Sequence, residues 1–305
     1  MHQCEIDQLR RDVLGRVGVG PLLDNVDVLH SWELSHVERL RLADGGSLVF
    51  KCATEPFTHE HTALLSALQA GVDVPRVEAS IRTGTLLGML MEDMGAPDCD
   101  PTDAHGIAAA VRLHAAAVPP HLPPADAGFL ASLPERALRN LRLLYEEDRW
   151  EGTDDIGETL SELARAGRSR AEGALTPPYG WVHGEFHPES VLVRGDRVRL
   201  YDFARAFRGP GLIDLASWHG TVDTPDPDAT RVFIEGYVEA GGESGALAPR
   251  GGLDAERWAL GWHRVWALEW FLAQAVTWIA DPAADSAYIT AVRRHVGDGA
   301  ELLKI

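Results

Sequence analysis

The sequence predicts an α+β, bilobal protein in which a small antiparallel sheet precedes a larger, mainly helical region. The chain has 305 residues, which is enough for two modest hydrophobic cores. Short apolar segments separated by turn residues fill its first third, and this is the pattern of antiparallel strands. Apolar residues at helical spacing dominate the remainder. We therefore expect a first lobe over residues 1–95 and a second lobe over residues 96–305.

The first lobe is predicted from apolar segments that alternate with turns. Residues 43–46, Ala-Asp-Gly-Gly, have the composition of a hairpin turn and join two of the strands. Residues 96–101 are rich in proline and aspartate, so they mark the boundary between the lobes. The predicted elements are a helix over residues 5–17, strands over 26–32, 37–42 and 47–52, a helix over 58–68 and a strand over 86–91.

The second lobe is predicted to be helical apart from one hairpin. Its predicted helices cover residues 102–117, 134–147, 156–171, 231–240 and 254–280, and the hairpin strands cover 191–193 and 198–201. Between Glu146 and Glu162, eight acidic residues accompany a single arginine, Arg149. This acidic rim (residues 146–162) is either a solvated surface or a wall that attracts a cationic substrate.

Tryptophans recur in the last predicted helix. Starting at Trp258, four of them follow one another every four residues, so the stripe winds around the helix. We expect a buried core helix, in which Trp262, Trp266 and Glu269 are candidates for contact with a substrate. Arg264 and Glu269 lie near its middle, and each would cost roughly 2.5–3.5 kcal/mol inside a bilayer. No membrane span is therefore predicted.

Composition and charge exclude other classes of protein. The formal net charge of −18 argues against nucleic acid as a partner; it suits either cationic small molecules or a simple role in solubility. The three cysteines lack the spacing of metal ligands, which favours a reducing, cytoplasmic setting. No signal-peptide pattern opens the chain. Both a monomer and a homodimer are compatible with these features.

One lysine interrupts an apolar strand. Lys51 follows the apolar residues 48–50 in the third predicted strand. Burial of an ammonium group is costly unless the group meets an anion or a carboxylate. The position therefore indicates either a functional contact or a side chain that reaches out to solvent from the strand edge.

The most informative stretch runs from residue 181 to residue 202. His183, Glu185 and Ser190 occupy a turn that leads into the first strand of the predicted hairpin, and the second strand ends at Asp202. Chemistry that needs one carboxylate to orient a hydroxyl group and another to hold a divalent metal asks for this arrangement of Glu185 and Asp202. The hairpin is therefore a candidate catalytic centre.

These residues resemble the catalytic and metal-binding loops of the aminoglycoside phosphotransferase family, whose members are relatives of protein kinases. The family pattern is His-x-Asp-x-x-x-x-Asn, followed by a metal-binding Asp at the end of the next strand. His183 and Asp202 match it, whereas Glu185 replaces the usual Asp and Ser190 replaces the usual Asn. Glu keeps the charge with one more methylene, and Ser keeps an oxygen on a shorter arm. Asp214 resembles the Asp that supports the catalytic loop in this family.

The resemblance implies a protein-kinase-like fold and an enzyme that transfers the γ-phosphoryl group of ATP or GTP, with Mg2+, to a hydroxyl group of a small molecule. Glu185 and His183 are the implied catalytic residues, Asp202 the main metal ligand and Ser190 the ligand of a second metal. The implied acceptor is an antibiotic or another sugar-bearing natural product. Kinases of choline, homoserine and sugars share the scaffold. The departures at Glu185 and Ser190 favour a rival interpretation, a pseudokinase that binds ligands without turnover.

The resemblance also implies the nucleotide contacts. Lys51 would hold the phosphates and pair with a helix glutamate, which is Glu60 or, as the alternative, Glu55. The loop that covers the phosphates would be residues 30–36, which contain no glycine. The strand-to-linker junction after residue 91 would pair with the purine edge through its backbone. The further nucleotide-binding residues implied in these two segments are Ser35, Glu92 and Met94.

Overall fold

The structure is a computed structural model that describes residues 1–279 and 281–305. Two compact units form within the chain: Met1–Pro101 joins Glu189–Ala206, and Thr102–Pro188 joins Phe207–Ile305. The sequence predicts that residues 1–95 bind the nucleotide and that residues 96–305 carry out catalysis. This division of function stays a prediction. By contacts, residues 189–206 group with the amino-terminal unit, although they lie late in the sequence.

Helices and strands follow one another along the chain in the order of an α+β protein, as predicted. The first elements are α1 (Gln3–Val17), β1 (Leu23–Ser31), β2 (Ser35–Leu42), β3 (Ser47–Thr54), α2 (Glu60–Gln69), β4 (Val77–Thr83), β5 (Leu86–Glu92) and α3 (Asp103–Ala115). The later ones are α4 (Ala127–Glu146), α5 (Asp154–Arg170), β6 (Tyr179–Val182), β7 (Val191–Arg194), β8 (Arg197–Leu200), β9 (Phe207–Pro210), α6 (Leu212–Ser217), α7 (Pro227–Glu239), α8 (Ala255–Ala273) and α9 (Asp285–Leu302).

The first unit is built on a five-stranded antiparallel sheet with the strand order β1-β2-β3-β5-β4. Helix α1 covers one face of this sheet. Its apolar residues Ile6, Leu9 and Val13 are spaced by three and four, so they share a helix face and meet Leu40 and Phe50 in a buried core. The hairpin β7–β8 also belongs to this unit, and its strands pair from Val191 to Leu200 as predicted.

The second unit surrounds helix α8, which packs against α4, α6, α7 and α9. Trp258 and Trp262 are fully buried, and their indole N–H groups donate to the carbonyl oxygen of Arg170 at 2.7 and 3.1 Å. The predicted core helix is therefore confirmed. Over the described ranges, no helix is both long enough and apolar enough to span a bilayer.

Three predicted helices have different ends. Helix α7 begins at Pro227, not at residue 231, because the Asp226 side chain accepts the amides of Asp228 and Ala229. Helix α4 begins at Ala127, not at residue 134, because the Asp126 side chain accepts a hydrogen bond from the Phe129 amide at 2.9 Å and caps the helix there. Pro134 consequently lies inside the helix. The predicted helix over 254–280 is α-helical only to Ala273 and continues as one π-helical turn, Gln274–Trp278. Ala280 lies outside the described residues. The structure also contains elements that were not predicted: the strands β4, β6 and β9 and the helices α6 and α9.

Helix α9 carries a buried histidine that should make the stability of the protein depend on pH. Burial lowers the pKa of His295 from 6.5 to about 4, and Arg264, whose Nη1 lies 3.4 Å from His295 Nε2, opposes a second positive charge. A histidine whose pKa falls on folding stabilises the protein above its ordinary pKa and loses that contribution as the pH falls toward 4. We expect this residue to cost up to about 3 kcal/mol of unfolding free energy between pH 7 and pH 4.

Thermal unfolding of the parent and of His295→Gln at several pH values between 7 and 4 measures this effect. Glutamine does not titrate, so the difference in unfolding temperature between the two proteins should shrink as the pH falls. The matched control is His121→Gln, because His121 is exposed in the same unit. Its unfolding should follow the parent at every pH. Parallel curves for the parent and His295→Gln would contradict the prediction.

Candidate active site

Three charged residues that the sequence pointed to meet in the first unit. Lys51 lies in β3, between β2 and β5, and its Nζ lies 2.7 Å from Glu60 Oε2 and 2.6 Å from Asp202 Oδ1. Glu60 is therefore the helix partner of Lys51. The alternative, Glu55, instead pairs with Arg82 at 2.6 Å. Strand pairing fixes the height of Lys51 in the sheet, and the first turn of α2 brings Glu60 to it.

Burial controls the electrostatics of this cluster. Burial alone would lower the pKa of Lys51, but the carboxylates of Asp202 and Glu60 outweigh it and raise that pKa above its ordinary value. Burial raises the pKa of Glu60 to about 7, against the opposing effect of Lys51. Lys51 and Glu60 are buried, whereas the Asp202 side chain is 44% exposed. Of the two carboxylates, Asp202 is consequently the one open to a ligand.

The backbone at Asp202 is unusual, since its φ of 65° lies in the left-handed region that few residues other than glycine adopt. Such conformations cost energy and concentrate at functional sites. Here the conformation comes directly after β8, whose last residue, Leu200, is bonded through its amide to the Asp73 carbonyl at 2.9 Å. The strand end is thus held, and the turn after it presents the Asp202 carboxylate to Lys51.

Ser190 lies at the same end of the hairpin as Asp202, immediately before β7. Its side chain is buried, and its carbonyl oxygen accepts the Tyr201 amide at 3.1 Å, while the Tyr201 hydroxyl donates to the Glu189 carbonyl. These bonds fix the base of the hairpin that also carries Asp202. Among the described residues, no group of three or more His, Cys, Asp and Glu side chains forms a metal site.

The oxygen donors present nevertheless fit Mg2+. This ion is usually bound by one or two carboxylates together with water and the phosphates of a substrate, not by a complete protein cage. Asp202 offers an accessible carboxylate, and Ser190 offers a hydroxyl oxygen on the same hairpin. A second metal at Ser190 would rest on a single neutral donor from this hairpin, so the fit is better for one metal than for two.

The predicted purine-binding junction is tied to the hairpin by arginines. Glu92 accepts two hydrogen bonds from Arg199, at 2.8 and 2.9 Å, and Arg199 holds the pKa of Glu92 at about 2. The Met94 carbonyl accepts a bond from Arg194 at 2.9 Å. The Glu92 carboxylate therefore serves the fold, and any contact of this junction with a nucleotide must use the backbone. The sequence analysis missed Arg199, although an arginine between Val198 and Leu200 is the same signal as Lys51.

Ser35 does not have the exposed position that is expected of a residue in contact with phosphates. It begins β2, it is buried, and its Oγ accepts a hydrogen bond from Trp32 Nε1 at 2.6 Å. Its hydroxyl thus closes the turn of residues 32–34. Whether Ser35 also meets the nucleotide stays a prediction.

In the second unit, an aspartate organises the catalytic loop. Asp214 is completely buried, and its Oδ2 and Oδ1 accept the amides of His183 and Gly184 at 2.8 and 3.0 Å. His114 Nε2 lies 3.3 Å from Asp214 Oδ2. Gly184 has a φ of 83°, which explains a glycine after the loop histidine. The structural role that the resemblance implied for Asp214 is thus visible in its contacts.

The two predicted catalytic residues follow from that support. His183 is completely buried, and its Nδ1 accepts the Glu185 amide at 3.3 Å. The Glu185 side chain is half-buried. A buried imidazole that accepts a backbone bond holds the loop in shape, so a direct part in the chemistry is better suited to Glu185. Both assignments stay predictions.

The candidates on α8 differ in accessibility. Trp262 is fully buried and bonded to the Arg170 carbonyl, so its packing gives no support to its predicted contact with a substrate. Trp266 is half-buried and lies 4.8 Å from the ring of Phe207. Glu269 is buried and pairs with Arg136 at 2.9 Å, so its charge is compensated. Of the three, Trp266 is the one with accessible surface.

Comparison with known families settles the classification. The family model described as the phosphotransferase enzyme family, APH, matches residues 36–275, which include Lys51, Glu60, the catalytic loop and Asp202. The chain belongs to this family. The predicted family is therefore confirmed, and the chain is a phosphotransferase that acts on a small-molecule hydroxyl, with ATP as co-substrate and a divalent metal. No curated protein matches the chain.

Solved structures of small-molecule kinases share the fold. A choline/ethanolamine kinase family protein from Mesorhizobium loti is 15% identical, with a TM-score of 0.70, and the match covers 98% of this chain and 95% of that one. A macrolide 2′-phosphotransferase from Brachybacterium faecium is 21% identical, with a TM-score of 0.61 and coverages of 94% and 97%. An amicoumacin kinase in complex with AMP-PNP and Ca2+ is 14% identical, with a TM-score of 0.61 and coverages of 97% and 96%. The predicted protein-kinase-like fold is confirmed.

Replacement of Asp214 should disturb the catalytic loop. In Asp214→Asn, an amino group that cannot accept replaces one of the two oxygens that bind the His183 and Gly184 amides. One buried amide then lacks a partner, which costs about 1–3 kcal/mol of unfolding free energy. Because a displacement of about 1 Å can cost roughly 10² in rate, we expect ATP consumption with acceptor to fall by about that factor.

Thermal unfolding and the rate of ATP consumption are measured together. Asp226→Asn is a matched control, because Asp226 also accepts two backbone amides, at the start of α7. Because one oxygen of Asp226 accepts both amides and asparagine keeps that oxygen, the variant should lose little stability and keep the parental rate. Equal rates for Asp214→Asn and the parent would show that Asp214 does not support the loop.

Proposed function

We propose that the chain transfers the γ-phosphoryl group of ATP or GTP to a hydroxyl group of an antibiotic or another sugar-bearing natural product, with Mg2+ as the metal. The observation that carries the proposal is the contact of Lys51 Nζ with both Glu60 and Asp202, at 2.7 and 2.6 Å. Phosphotransferases of this fold need a lysine held by a glutamate and an aspartate that binds metal. The product would be an inactivated antibiotic or a protected metabolite.

The residues of the first unit bind and neutralise the nucleotide. Lys51, kept protonated by two carboxylates, holds phosphate oxygens as a point charge. Asp202, with its exposed carboxylate, holds Mg2+, and Ser190 is the candidate for a second metal. Bound Mg2+ supplies positive charge where negative charge develops on the transferred group. The backbone at Met94 contacts the purine edge.

Glu185 acts on the acceptor. A carboxylate does not ionise a hydroxyl group in advance, so its part is to orient the hydroxyl and to take its proton late in the transfer. The acceptor oxygen then forms a bond with the γ-phosphorus, while the bond from that phosphorus to the β-γ bridging oxygen breaks. The proton moves to Glu185, and ADP or GDP leaves. The longer arm of Glu, relative to the Asp of the family pattern, requires a backbone about one methylene farther from the phosphorus.

Two surfaces of the second unit indicate the chemical nature of the acceptor. The acidic rim favours a cationic acceptor, but Glu147 and Asp155 are paired with Arg149 and Arg293, which reduces its field. Half-buried Trp266 favours a neutral glycoside stacked on an aromatic ring. Three free thiols support the proposed cytoplasmic location.

The direct test is consumption of ATP and GTP with a panel of acceptors. The panel contains aminoglycosides, macrolides, nucleoside and peptide antibiotics, choline, homoserine and simple sugars. Turnover with an antibiotic supports the proposal, and turnover with choline, homoserine or a sugar makes the chain a metabolic kinase. Nucleotide binding without turnover on any member supports the pseudokinase.

Removal of the proposed metal ligand should abolish turnover. In Asp202→Ala, phosphoryl transfer should become undetectable because the largest counter-charge to the transferred group is no longer held. A second variant, Asp202→Asn, should fold better than Asp202→Ala, since asparagine tolerates the left-handed backbone that this position adopts. Asp196→Ala, in the exposed turn of the same hairpin, is the control and should keep the parental rate. A rate within a few-fold of the parent for both Asp202 variants would refute the assignment.

The role of Glu185 predicts a specific pattern of rates. Glu185→Gln should keep nucleotide binding and lower kcat by roughly 10²–10⁴, the usual contribution of a general base. Glu185→Asp should also be impaired, by roughly 10², because the carboxylate is drawn back by about 1 Å. Rates are compared with nucleotide affinity measured by calorimetry. Full activity in Glu185→Gln would exclude this residue as the base and turn attention to His187 or Glu189.

A further inference from the structure

A buried chain of polar groups runs from α1 to the end of β1 in the first unit. Arg10 Nη1 donates to both carboxylate oxygens of Glu38, at 2.7 and 2.6 Å. His36 Nε2 lies 3.0 Å from Glu38 Oε1, and His36 Nδ1 lies 3.0 Å from Ser31 Oγ. Glu38 and His36 are 1% and 4% exposed, whereas Ser31 is exposed. This series of hydrogen bonds therefore connects the buried Glu38 to the exposed Ser31 and fixes the orientation of the side chains between them.

The chemistry of each group sets the direction of these bonds. A guanidinium only donates, and a carboxylate paired with it only accepts. His36 Nε2 must therefore carry a hydrogen and donate to Glu38. Nδ1 accepts from the Ser31 hydroxyl in the neutral imidazole and donates to it in the charged one. In either form, the bond to His36 holds the Ser31 hydroxyl in place.

The same turn is closed by its other side chains. The Trp32 amide donates to the Ser35 carbonyl at 3.0 Å, and Trp32 Nε1 donates to Ser35 Oγ at 2.6 Å. The Trp32 ring also lies 6.1 Å from the ring of Phe57. Residues 30–36 contain no glycine. Side-chain hydrogen bonds therefore hold the shape of this glycine-free turn.

We propose that His36 is a positioning residue for the nucleotide, which acts through Ser31 to hold the turn between β1 and β2 in the shape that receives the phosphates. This inference rests on the proposed function and on the expectation, implied by the family resemblance, that residues 30–36 cover the nucleotide phosphates. His36 itself is buried and does not touch the ligand. Its effect is to remove motion from the turn before binding, so that less entropy is lost when the nucleotide is bound.

Two amide substitutions separate the two bonds of His36. Asparagine places its amide near the position of Nδ1 and can keep the bond to Ser31, whereas glutamine reaches the position of Nε2 and can keep the bond to Glu38. The affinity for a non-hydrolysable ATP analogue with Mg2+ is measured by calorimetry, together with the unfolding temperature. We expect His36→Asn to bind within twofold of the parent and His36→Gln to bind about 3- to 10-fold more weakly, the effect of one lost hydrogen bond.

Ser31→Ala provides the second arm of the test. It should weaken binding of the analogue as much as His36→Gln does, and the double variant should be no weaker than either single variant, because both remove one interaction. With an acceptor in hand, the loss should appear in the KM for ATP and leave kcat within about twofold. His121→Gln, an exposed histidine of the second unit, should match the parent in every measurement.

The outcomes distinguish this inference from the function on which it rests. A parent that binds no nucleotide overturns the proposed function and this inference with it. A parent that binds the analogue, with His36→Gln and Ser31→Ala equal to it, overturns the positioning role alone. If affinity merely follows unfolding temperature, with His36→Asn and His36→Gln equally weak, His36 is a structural residue and the proposal fails.

Discussion

A single buried ammonium group constrains much of the first unit. Lys51 is surrounded by sheet on both sides, and a charge in that position is tolerated only while carboxylates accompany it. Helix α2 must begin where Glu60 reaches it, and the segment after β8 must return to bring Asp202. The left-handed backbone at Asp202 is one local cost of that return. A position whose packing would otherwise suit an apolar residue is thus occupied by a charged one. Such an exchange is typical of a residue that binds a ligand.

The catalytic loop of the second unit also depends on one buried charged residue, in this case an acid. Asp214 is completely buried, and its oxygens are satisfied by two amides and an imidazole. The loop backbone at His183 and Gly184 is consequently fixed by one side chain from the following helix. Both units therefore rely on one buried ionisable residue whose partners come from distant parts of the chain. Such polar centres specify a unique arrangement more strictly than apolar packing does.

The sequence predicted the charged centre better than the ends of the elements. A lysine in an apolar strand and a glutamate at a helix start have few alternative explanations, so Lys51 and Glu60 could be paired once the family pattern was recognised. Arg199 carried the same signal in β8, but its partners, Glu92 and Asp73, have no motif that announces them. Helix α4 was misjudged because the cap at Asp126 outweighs the preference of proline for a first turn. Strand β9, Phe-Arg-Gly-Pro, has no strand pattern and is imposed by its pairing with β6. The burial of Trp262 was likewise undecidable, because a tryptophan at every fourth position passes through core and surface alike.

The separation of Lys51 from Asp202 along the chain has a consequence for how the protein is made. Their contact spans 151 residues, and a ribosome exposes the sheet long before it has synthesised the hairpin that completes it. Until residue 202 emerges, the nascent first unit has Glu60 as a partner for Lys51 but lacks its second carboxylate. Residues 1–101 therefore lack the rest of their unit, residues 189–206, until late in synthesis. The amino-terminal third of this enzyme is thus synthesised before a segment that completes its unit, and an incomplete unit of this kind exposes surface that favours proteolysis and aggregation.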